Sequence, residues 1–417
     1  MKKYRKLISI LLLFCCLFAT QASAKNISIG LKFGGKSPKE VTVQNQSGFL
    51  LSVGEETLGE LPDGTIKLTW AEDGTVVLTT PTDETVLYTY EKSDLPLDLT
   101  PADFGTVLID GTEYRGSARF LYNDNGITVI NHLDIEDYLK GVVPGEMPSS
   151  WPTEALKAQA VCARNYAITN WNKFQSYGFN LDDTTQSQVY LGVKGEKPET
   201  NRAILETQNI YLTYNGKPAT TFFYSSSGGH TESSKYVWGG DLPYLVGVED
   251  PYDTSREWTV PYTPDEIEEK LSGISVSVGD VTDLDVVERS PSGRIIDLNI
   301  IGTEGNYHAK LEKSRSLFNL RSNLFTITKK GGEAKPVTVI TARGLEERQL
   351  TQPILTATGE IPYEAGTPTE YIFQGTGYGH GVGMSQYGAK GMAEQGYNFE
   401  QILTHYFTGT VLEEIIE

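Results

Sequence analysis

Residues 155–167 have the sequence Ala-Leu-Lys-Ala-Gln-Ala-Val-Cys-Ala-Arg-Asn-Tyr-Ala, which decides much of the fold. An apolar stripe recurs there at helical spacing: Leu156, Ala160, Ala163 and Ala167. Because most of these side chains are small, a neighbouring element can approach closely, and we expect this helix to be deeply buried. Ser149 or Ser150 can cap its start, and Pro152 would lie in its first turn, where a missing N–H costs nothing.

The chain before this helix is dominated by β-strand signals. Residues 26–131 contain short alternating runs, such as 66–70, separated by turn residues. The Asn-Asp-Asn-Gly sequence at 123–126 predicts a hairpin. Later signals are helical and β in turn: a capping box at 263–266, a helix end at Gly273, a hairpin turn at 291–293, a linker or loop at 331–336, and helices near 385–395 and 398–407. This mixture predicts an α+β protein.

A short helix is expected from Asp134, which can cap it, through Leu139, after which Gly141 and Gly145 would break the chain. Glu146 would then lie on a stiff, sharply turned loop just ahead of the long helix. Two interpretations stay open from these residues. Glu146 is either a solvated glutamate favoured by the helix dipole, or a desolvated carboxyl whose raised pKa lets it act as an acid near neutral pH.

Two cations on the long helix are further candidates. Lys157 and Arg164 are seven residues apart and therefore share a helix face. They could hold sugar hydroxyls or a carboxylate beside Glu146, or be solvated cations on an exposed stripe.

Two Gly-rich segments could also carry chemistry. Residues 222–231 run from a strand into a Ser/Gly turn, whose hydroxyls position a ligand or satisfy the turn. Alternating glycines at 375–389 surround His380 and indicate a tight backbone platform beside a site. This segment lacks the Lys-Ser/Thr ending of a phosphate loop. A lone histidine of this kind is more often structural than a base.

The N-terminus has the pattern of an export signal. A basic start is followed by an apolar run at residues 7–19 and by Ala-Ser-Ala at 22–24. The run is shorter than the roughly 20 residues of a membrane span. We therefore expect a cleaved signal peptide or an uncleaved anchor. The expected location is outside the cell, in the cell wall or on the outer face of the membrane.

The net charge of −19 argues against nucleic acid as a partner, because phosphate binding needs clustered Lys and Arg. Cys162 is the only cysteine after the expected signal, so an internal disulfide is excluded. Stability must therefore come from a packed core.

Taken together, these segments resemble the SpoIID/LytB family of bacterial cell-wall proteins. The matching blocks occur in the order that the family has: 133–148, 155–167, 187–190, 223–231, 243–245 and 377–406. Each block alone is suggestive, but their joint occurrence is highly specific. The resemblance covers roughly residues 114–407.

The resemblance divides the chain into three expected regions. A signal peptide or anchor occupies 1–24, a β-rich region 25–113, and the catalytic core 114–417. The core is expected to be mixed α/β, with buried helices and antiparallel sheet. A β-rich sub-region at 260–370 would be inserted before the C-terminal segment Gly-His-Gly-Val-Gly-Met-Ser-Gln-Tyr-Gly-Ala.

The resemblance implies a lytic transglycosylase that cuts peptide-free peptidoglycan strands during septal-wall remodelling and endospore engulfment. Glu146 matches the family's catalytic glutamate in Glu-Met-Pro, Arg164 its substrate-binding arginine, and Lys157 another family position. Further substrate-binding positions are expected in the other matching blocks: Ser226, Tyr244, His380, Ser385 and Gln386.

One carboxyl suffices for this reaction, whereas ordinary glycosidases need two carboxylates. Glu146 would protonate the glycosidic oxygen between N-acetylmuramic acid and N-acetylglucosamine. It would then take the proton of the muramoyl 6-hydroxyl, which closes a 1,6-anhydro ring. Lys157 and Arg164 would orient the substrate.

Two other functions stay open. The LytB branch of the family implies a non-catalytic wall-binding protein that enhances a partner amidase. A two-carboxylate glycoside hydrolase would need a second acid, such as Glu154 or Asp183, across the cleft.

Some family members have a metal site written with Cys, His and Cys, where this chain has Asp182, Gln186 and Ser187. Zinc prefers Cys and His in closed structural sites, so we predict no zinc there, with polar contacts holding the loop instead. No other cofactor is expected. The expected partners are peptidoglycan strands and, by analogy, a cell-wall amidase and membrane-bound wall-remodelling proteins.

Overall fold

The computed structural model describes residues 25–254, 256–332, 337–341, 343–348, 354–356, 359–361 and 366–415. The expected export segment lies outside these residues, as does most of the expected linker at 331–336. The chain forms two compact units. One contains the residues up to Thr220 together with the stretch from Val411, and the other contains Thr221–Thr410.

Two large sheets make up most of the first unit. Its strands are β1 (Asn26–Lys32), β2 (Glu40–Asn45), β3 (Phe49–Val53), β4 (Glu56–Leu61), β5 (Gly64–Trp70), β6 (Thr75–Thr79), β7 (Val86–Glu91), β8 (Leu97–Pro101), β9 (Thr106–Ile109), β10 (Thr112–Arg115), β11 (Ser117–Asn123), β12 (Gly126–Asp134), β13 (Leu181–Asp182), β14 (Ile210–Tyr214) and β15 (Lys217–Pro218). A seven-stranded sheet has the order β13-β1-β12-β11-β8-β3-β4, and a six-stranded sheet has the order β10-β9-β2-β5-β6-β7. The strand expected at 66–70 and the hairpin at 123–126 are confirmed as β5 and the β11–β12 turn.

Alternation of side chains explains why these segments form strands. In β2, Val41 and Val43 are buried while Glu40, Thr42 and Gln44 are exposed, and this alternation is typical of a half-buried strand. Strands on both sides of residue 114 share the sheets, because β1 pairs with β12 and β10 itself crosses the expected boundary. The structure therefore places the N-terminal β-rich region and the start of the expected core in one unit.

Helix α1 (Ile135–Glu146) follows β12 directly. The Asp134 side chain accepts hydrogen bonds from two backbone N–H groups of the first turn, which confirms its capping role. The expectation that Gly141 and Gly145 break the chain was wrong, since the helix continues through Pro144 to Glu146. Beyond the proline, the Met147 N–H donates to the Val143 carbonyl at 2.9 Å and keeps the last turn closed.

The two glycines of α1 serve packing instead of chain breaking. A Cβ on Gly141 would lie 2.5 Å from the Tyr190 ring, and one on Gly145 would lie 3.0 Å from the Val189 carbonyl oxygen. Glycines four apart lie on one helix face, so this face lets residues 189–192 pack directly against the α1 backbone.

Helix α2 (Thr153–Thr169) confirms the expectation of a deeply buried helix, because all of its residues at 155–156 and 158–167 are buried. It packs against α1, β14 and helix α3 (Pro198–Glu206). The capping prediction was wrong. Pro152 is the residue before the helix, and no side chain caps the helix start. The Trp151 N–H donates to the Pro148 carbonyl, so the residues ahead of Pro152 form a turn.

The second unit combines small sheets with short helices. Its strands are β16 (Phe223–Tyr224), β17 (Glu257–Tyr262), β18 (Val281–Arg289), β19 (Ile295–Gly302), β20 (Asn306–Lys310), β21 (Phe325–Lys330), β22 (Val337–Thr341), β23 (Gly344–Arg348), β24 (Ile354–Thr356), β25 (Gly359–Ile361), β26 (Glu370–Thr376) and β27 (Met384–Ser385). Its helices are α4 (Ser234–Trp238), α5 (Pro264–Ser272), α6 (Lys313–Leu317), α7 (Gln386–Glu394) and α8 (Phe399–Tyr406). The last strand, β28 (Val411–Glu414), belongs to the first unit, where it pairs with β14.

Several local predictions for this unit are confirmed. Thr263 and Glu266 form a capping box at the start of α5, and Gly273 caps its end. Asn398 and Gln401 form a second capping box on α8. The sheets β17-β26-β21 and β18-β19-β20 enclose a core that includes Trp258, Phe318, Phe325, Tyr371 and Phe373. The architecture is α+β, as expected. No helix within the described ranges is long and apolar enough to span a membrane.

Gly141→Ala tests the packing of α1. We expect a loss of about 1–3 kcal/mol in the free energy of unfolding, because the new methyl group would overlap a buried aromatic ring. Urea denaturation measures this change. Gly35→Ala is the matched control, since a Cβ there meets nothing within 4 Å. Equal stability of the two variants would contradict the packing described for this helix face.

Candidate active site

Glu146 is the last residue of α1 and its side chain is half-buried. The Val189 backbone N–H donates to Glu146 Oε1 at 2.8 Å. Burial raises the pKa of the Glu146 carboxyl above its ordinary value, and the Val189 hydrogen bond opposes this shift only in part. The site therefore holds a carboxyl that keeps its proton at higher pH than a solvated glutamate does.

Side chains on both sides of Val189 fix its backbone in place. The Gln188 amide nitrogen lies 3.3 Å from the Ala163 carbonyl and 3.4 Å from the Tyr138 hydroxyl, and Gln188 is fully buried. The Tyr190 hydroxyl donates to Asn131 Oδ1 at 2.8 Å. The segment is therefore anchored to α2, α1 and β12, and the N–H that binds Glu146 is held rigidly.

Two tyrosines near Glu146 stay neutral across the physiological pH range. Burial raises the pKa of Tyr166 to about 12, with the charges of Asp182 and Glu146 adding to the shift. Burial also raises the pKa of Tyr138, whose hydroxyl interacts with Gln188. Tyr166 in turn accepts a hydrogen bond from Lys173 Nζ at 3.1 Å. Burial is thus the main cause of the raised pKa of the Glu146 carboxyl.

The loop matching the family's metal segment is held by hydrogen bonds among its own groups. The buried Asp182 carboxylate accepts from the Thr184 hydroxyl, and the Asp182 N–H donates to Ser187 Oγ at 3.3 Å. A carboxylate, an amide and a hydroxyl do not fit a structural zinc site. No group of three His, Cys, Asp or Glu side chains suited to a metal occurs within the described ranges.

Arg164 is fully buried and binds Glu136 through two hydrogen bonds of 2.6 Å. Its third contact is a 3.2 Å hydrogen bond to the Ile210 carbonyl. The alternative that Arg164 is a solvated cation on an exposed helix face is therefore wrong. This bidentate pair joins α2 to the first turn of α1, the helix whose last residue is Glu146.

Lys157 is only partly exposed. Its Nζ lies 2.9 Å from Glu154 and 2.8 Å from Glu206, and 16% of its side chain is accessible. The Glu154 carboxylate is engaged in this ion pair. Asp183 is different, because burial raises its pKa to about 6. Lys157, Arg164 and Glu146 all belong to the first unit.

The other predicted site residues belong to the second unit, where one carboxylate organises the Ser/Gly turn. Asp253 accepts hydrogen bonds from the Ser226, Ser227 and Ser385 hydroxyls and the Gly228 N–H at 2.8–3.2 Å, and another from the Ser227 N–H. Ser226 and Ser385 are buried, and Ser385 also caps α7. Their role in substrate binding stays a prediction, while their present contacts satisfy the turn.

Tyr244 and Gln386 are buried, and His380 is partly buried. Tyr244 and Gln386 are each 8% exposed. His380 Nδ1 accepts from the Val382 N–H at 3.0 Å, and the ring also hydrogen-bonds the Phe223 backbone. Burial, with the charges of two arginines, lowers the pKa of His380 to about 3, so the ring is neutral. Both nitrogens of His380 are thus bonded to protein groups, and its role in substrate binding stays a prediction.

Three groups that matter in these sites were missed by sequence reasoning. The Val189 N–H carries no sequence signal, because every residue except proline has one. Glu136 is an acid in the first turn of α1, a common position for one, and its partner lies on another helix. Asp253 lies in a turn-rich segment away from the Ser/Gly turn, and only the folded chain brings them together.

Two family models match this chain, one within each of its two units. A family model described as Stage II sporulation protein matches residues 123–214, which contain Glu146, Lys157 and Arg164. The Stage II sporulation protein D of Bacillus amyloliquefaciens is 30% identical over 307 residues, covering 68% of this chain and 76% of the relative. The chain belongs to the SpoIID/LytB family.

Two further relatives of this SpoIID/LytB protein extend the comparison. An amidase enhancer of Bacillus subtilis (strain 168) is 31% identical over 346 residues, covering 76% of this chain and 46% of the relative. The chain thus spans less than half the length of that relative. An uncharacterized protein of Brachyspira hyodysenteriae is 33% identical over 308 residues, which is 72% of each chain. A separate model, a domain of unknown function (DUF8618), matches residues 245–345.

Arg164→Gln tests the buried ion pair of this SpoIID/LytB protein. We expect a loss of about 3–5 kcal/mol in the free energy of unfolding, because the Glu136 carboxylate would stay buried without its partner. Urea denaturation of the single variants and of Arg164→Gln/Glu136→Gln gives the coupling energy between the two residues. Unchanged stability together with weakened glycan binding would instead show that Arg164 serves the substrate directly.

Proposed function

We propose that this SpoIID/LytB protein is a lytic transglycosylase that cuts peptidoglycan glycan strands free of stem peptides. The observation that carries the proposal is the state of Glu146. Its carboxyl is half-buried, has a raised pKa and is oriented by the Val189 N–H. These are the properties required of a group that first donates a proton and then accepts one.

The reaction needs no co-reactant. The protonated Glu146 gives its proton to the glycosidic oxygen that joins C1 of N-acetylmuramic acid to N-acetylglucosamine, and the C1–O bond breaks. The 6-hydroxyl oxygen of the same muramic acid bonds to C1 and closes the 1,6-anhydro ring. The proton of that hydroxyl passes to the Glu146 carboxylate, which restores the starting acid.

The ion pair of Glu154 supports this single-carboxyl mechanism over hydrolysis. A hydrolase needs a second carboxylate to activate water or to form a covalent intermediate. The Glu154 carboxylate is paired with Lys157 at 2.9 Å. Burial raises the pKa of Asp183 to about 6, so the Asp183→Asn variant tests it as a second acid or base.

The two cations take different roles in this proposal. Lys157 retains an accessible part and is the cation that a sugar hydroxyl or lactyl carboxylate reaches. Arg164 is buried and acts through Glu136, so it positions α1 and with it Glu146. This assignment replaces direct substrate binding by Arg164 with a positioning role.

A second function is favoured by one relative. The amidase enhancer at 31% identity suggests that this chain increases the activity of a cell-wall amidase without cutting glycan itself. The two functions share a wall-bound setting. We propose that the protein is exported through its N-terminal segment, acts outside the membrane, and serves wall remodelling such as sporulation and engulfment.

The reaction product separates these functions. Peptide-free glycan strands are incubated with the purified protein, and the strand ends are analysed by mass spectrometry. We expect 1,6-anhydro ends, and a loss of about 10²–10⁴ in rate for Glu146→Gln, since general acid–base catalysis contributes about that much. The glutamine keeps an oxygen that can accept from the Val189 N–H, so the fold is retained.

Glu154→Gln and Asp183→Asn are the matched controls, and each should still produce anhydro ends. Reducing ends that disappear in either control would support hydrolysis. Intact strands, with faster peptide release when an amidase is added, would support the enhancer. Anhydro ends from Glu146→Gln at the wild-type rate would overturn the assignment of the catalytic residue.

A further inference from the structure

Trp238 is the last residue of α4 and is 44% exposed, which is unusual for the largest apolar side chain. Its ring is nevertheless held firmly. The Phe222 ring lies 4.6 Å from it and the His380 ring 5.1 Å, both measured between centroids. An exposed aromatic ring that is backed by two others is preorganised to meet a ligand, because little side-chain freedom remains to be lost.

His380 gives this platform its rigidity. Its Nδ1 accepts from the Val382 N–H, and its ring also contacts Tyr224 at 5.1 Å. Because the ring is neutral and hydrogen-bonded, it presents an apolar surface to Trp238 and no charge.

The surface beside Trp238 is open and polar. Gly239 and Gly240 follow it, and a Cβ on either glycine would meet nothing within 4 Å. Lys235 is exposed and lies three residues before Trp238 on the same short helix, so the two side chains are neighbours. Asp241 is exposed as well. The exposed ring is therefore bordered by open backbone and by charged side chains.

We propose that Trp238 and Lys235 form a glycan subsite of the second unit, in which the Trp238 ring stacks on the apolar face of a sugar. The Lys235 ammonium binds the lactyl carboxylate of a neighbouring muramic acid. The choice of a glycan as the ligand rests on the proposed function. The evidence for a binding site is the exposed Trp238 ring, the open backbone beside it and the Lys235 ammonium. A pyranose presents C–H groups on its faces and hydroxyls at its rim, which matches an isolated ring with a polar border. A peptide-free strand carries a free carboxylate on every second sugar, which matches the Lys235 ammonium.

Binding is measured with the Glu146→Gln protein, so that the strands stay intact. The probes are peptide-free glycan strands and chitohexaose, which has N-acetylglucosamine rings but no lactyl carboxylate. Trp238→Ala should weaken binding of both probes by about fivefold or more, as expected for the loss of an aromatic stacking contact. Trp238→Phe should keep affinity within about twofold of the parent, because a ring remains.

Lys235→Gln should weaken binding of the strands by about two- to fivefold and leave chitohexaose binding unchanged, since an exposed ion pair contributes modestly. Trp238→Leu distinguishes stacking from general apolar contact and should bind as weakly as Trp238→Ala. Phe104→Ala removes an exposed aromatic side chain elsewhere and should bind like the parent. Circular dichroism melting confirms that each variant is folded.

Three results would overturn the subsite: Trp238→Ala binding as tightly as the parent, Trp238→Leu binding as tightly as the parent, or a parent that binds neither probe. These outcomes are distinct from failure of the proposed function. That function fails on product analysis, whereas the subsite fails on affinity measured without cleavage.

Discussion

The candidate active site depends on the close approach of residues 189–192 to the glycine face of α1. Gly141 and Gly145 leave the helix backbone bare, and the segment packs onto it at distances that a Cβ would forbid. This contact places the Val189 N–H at 2.8 Å from Glu146 and excludes water from part of the carboxyl. Burial raises the pKa of this carboxyl, and the proposed chemistry requires both of its protonation states.

The rest of the first unit holds this contact in place. Helix α2 is buried along nearly its whole length and forms a rigid support on which α1 rests. The Arg164–Glu136 pair fixes the start of α1, while the Val189 contact lies at its end. An ion pair of this kind is costly to bury and costly to break, so it specifies one arrangement of the two helices. The helix that carries the proposed acid is thereby defined at both ends.

Local signals in the sequence predicted most elements, because caps and turns depend on residues that are close in the chain. Asp134, Thr263 and Asn398 cap helices as expected. The errors arose where distant residues decide the outcome. Gly141 looked like a helix breaker until a segment nearly fifty residues later was seen to pack on it. Arg164 could be placed on its helix but not in the core, since its partner lies on another helix.

The same distinction applies to the sites. Glu146 was identified from a family pattern, but its pKa-raising environment and its donor come from the fold. Trp238 gave no signal, because exposure is a property of the folded chain.

Folding raises the pKa of Glu146, and the proposed chemistry depends on this shift. Carbon-13 NMR titration of the glutamate carboxyls, with the resonance missing from Glu146→Gln assigned to Glu146, measures it directly. We expect a midpoint above the ordinary value of 4.5, and a midpoint at or below 4.5 would show that folding does not raise this pKa.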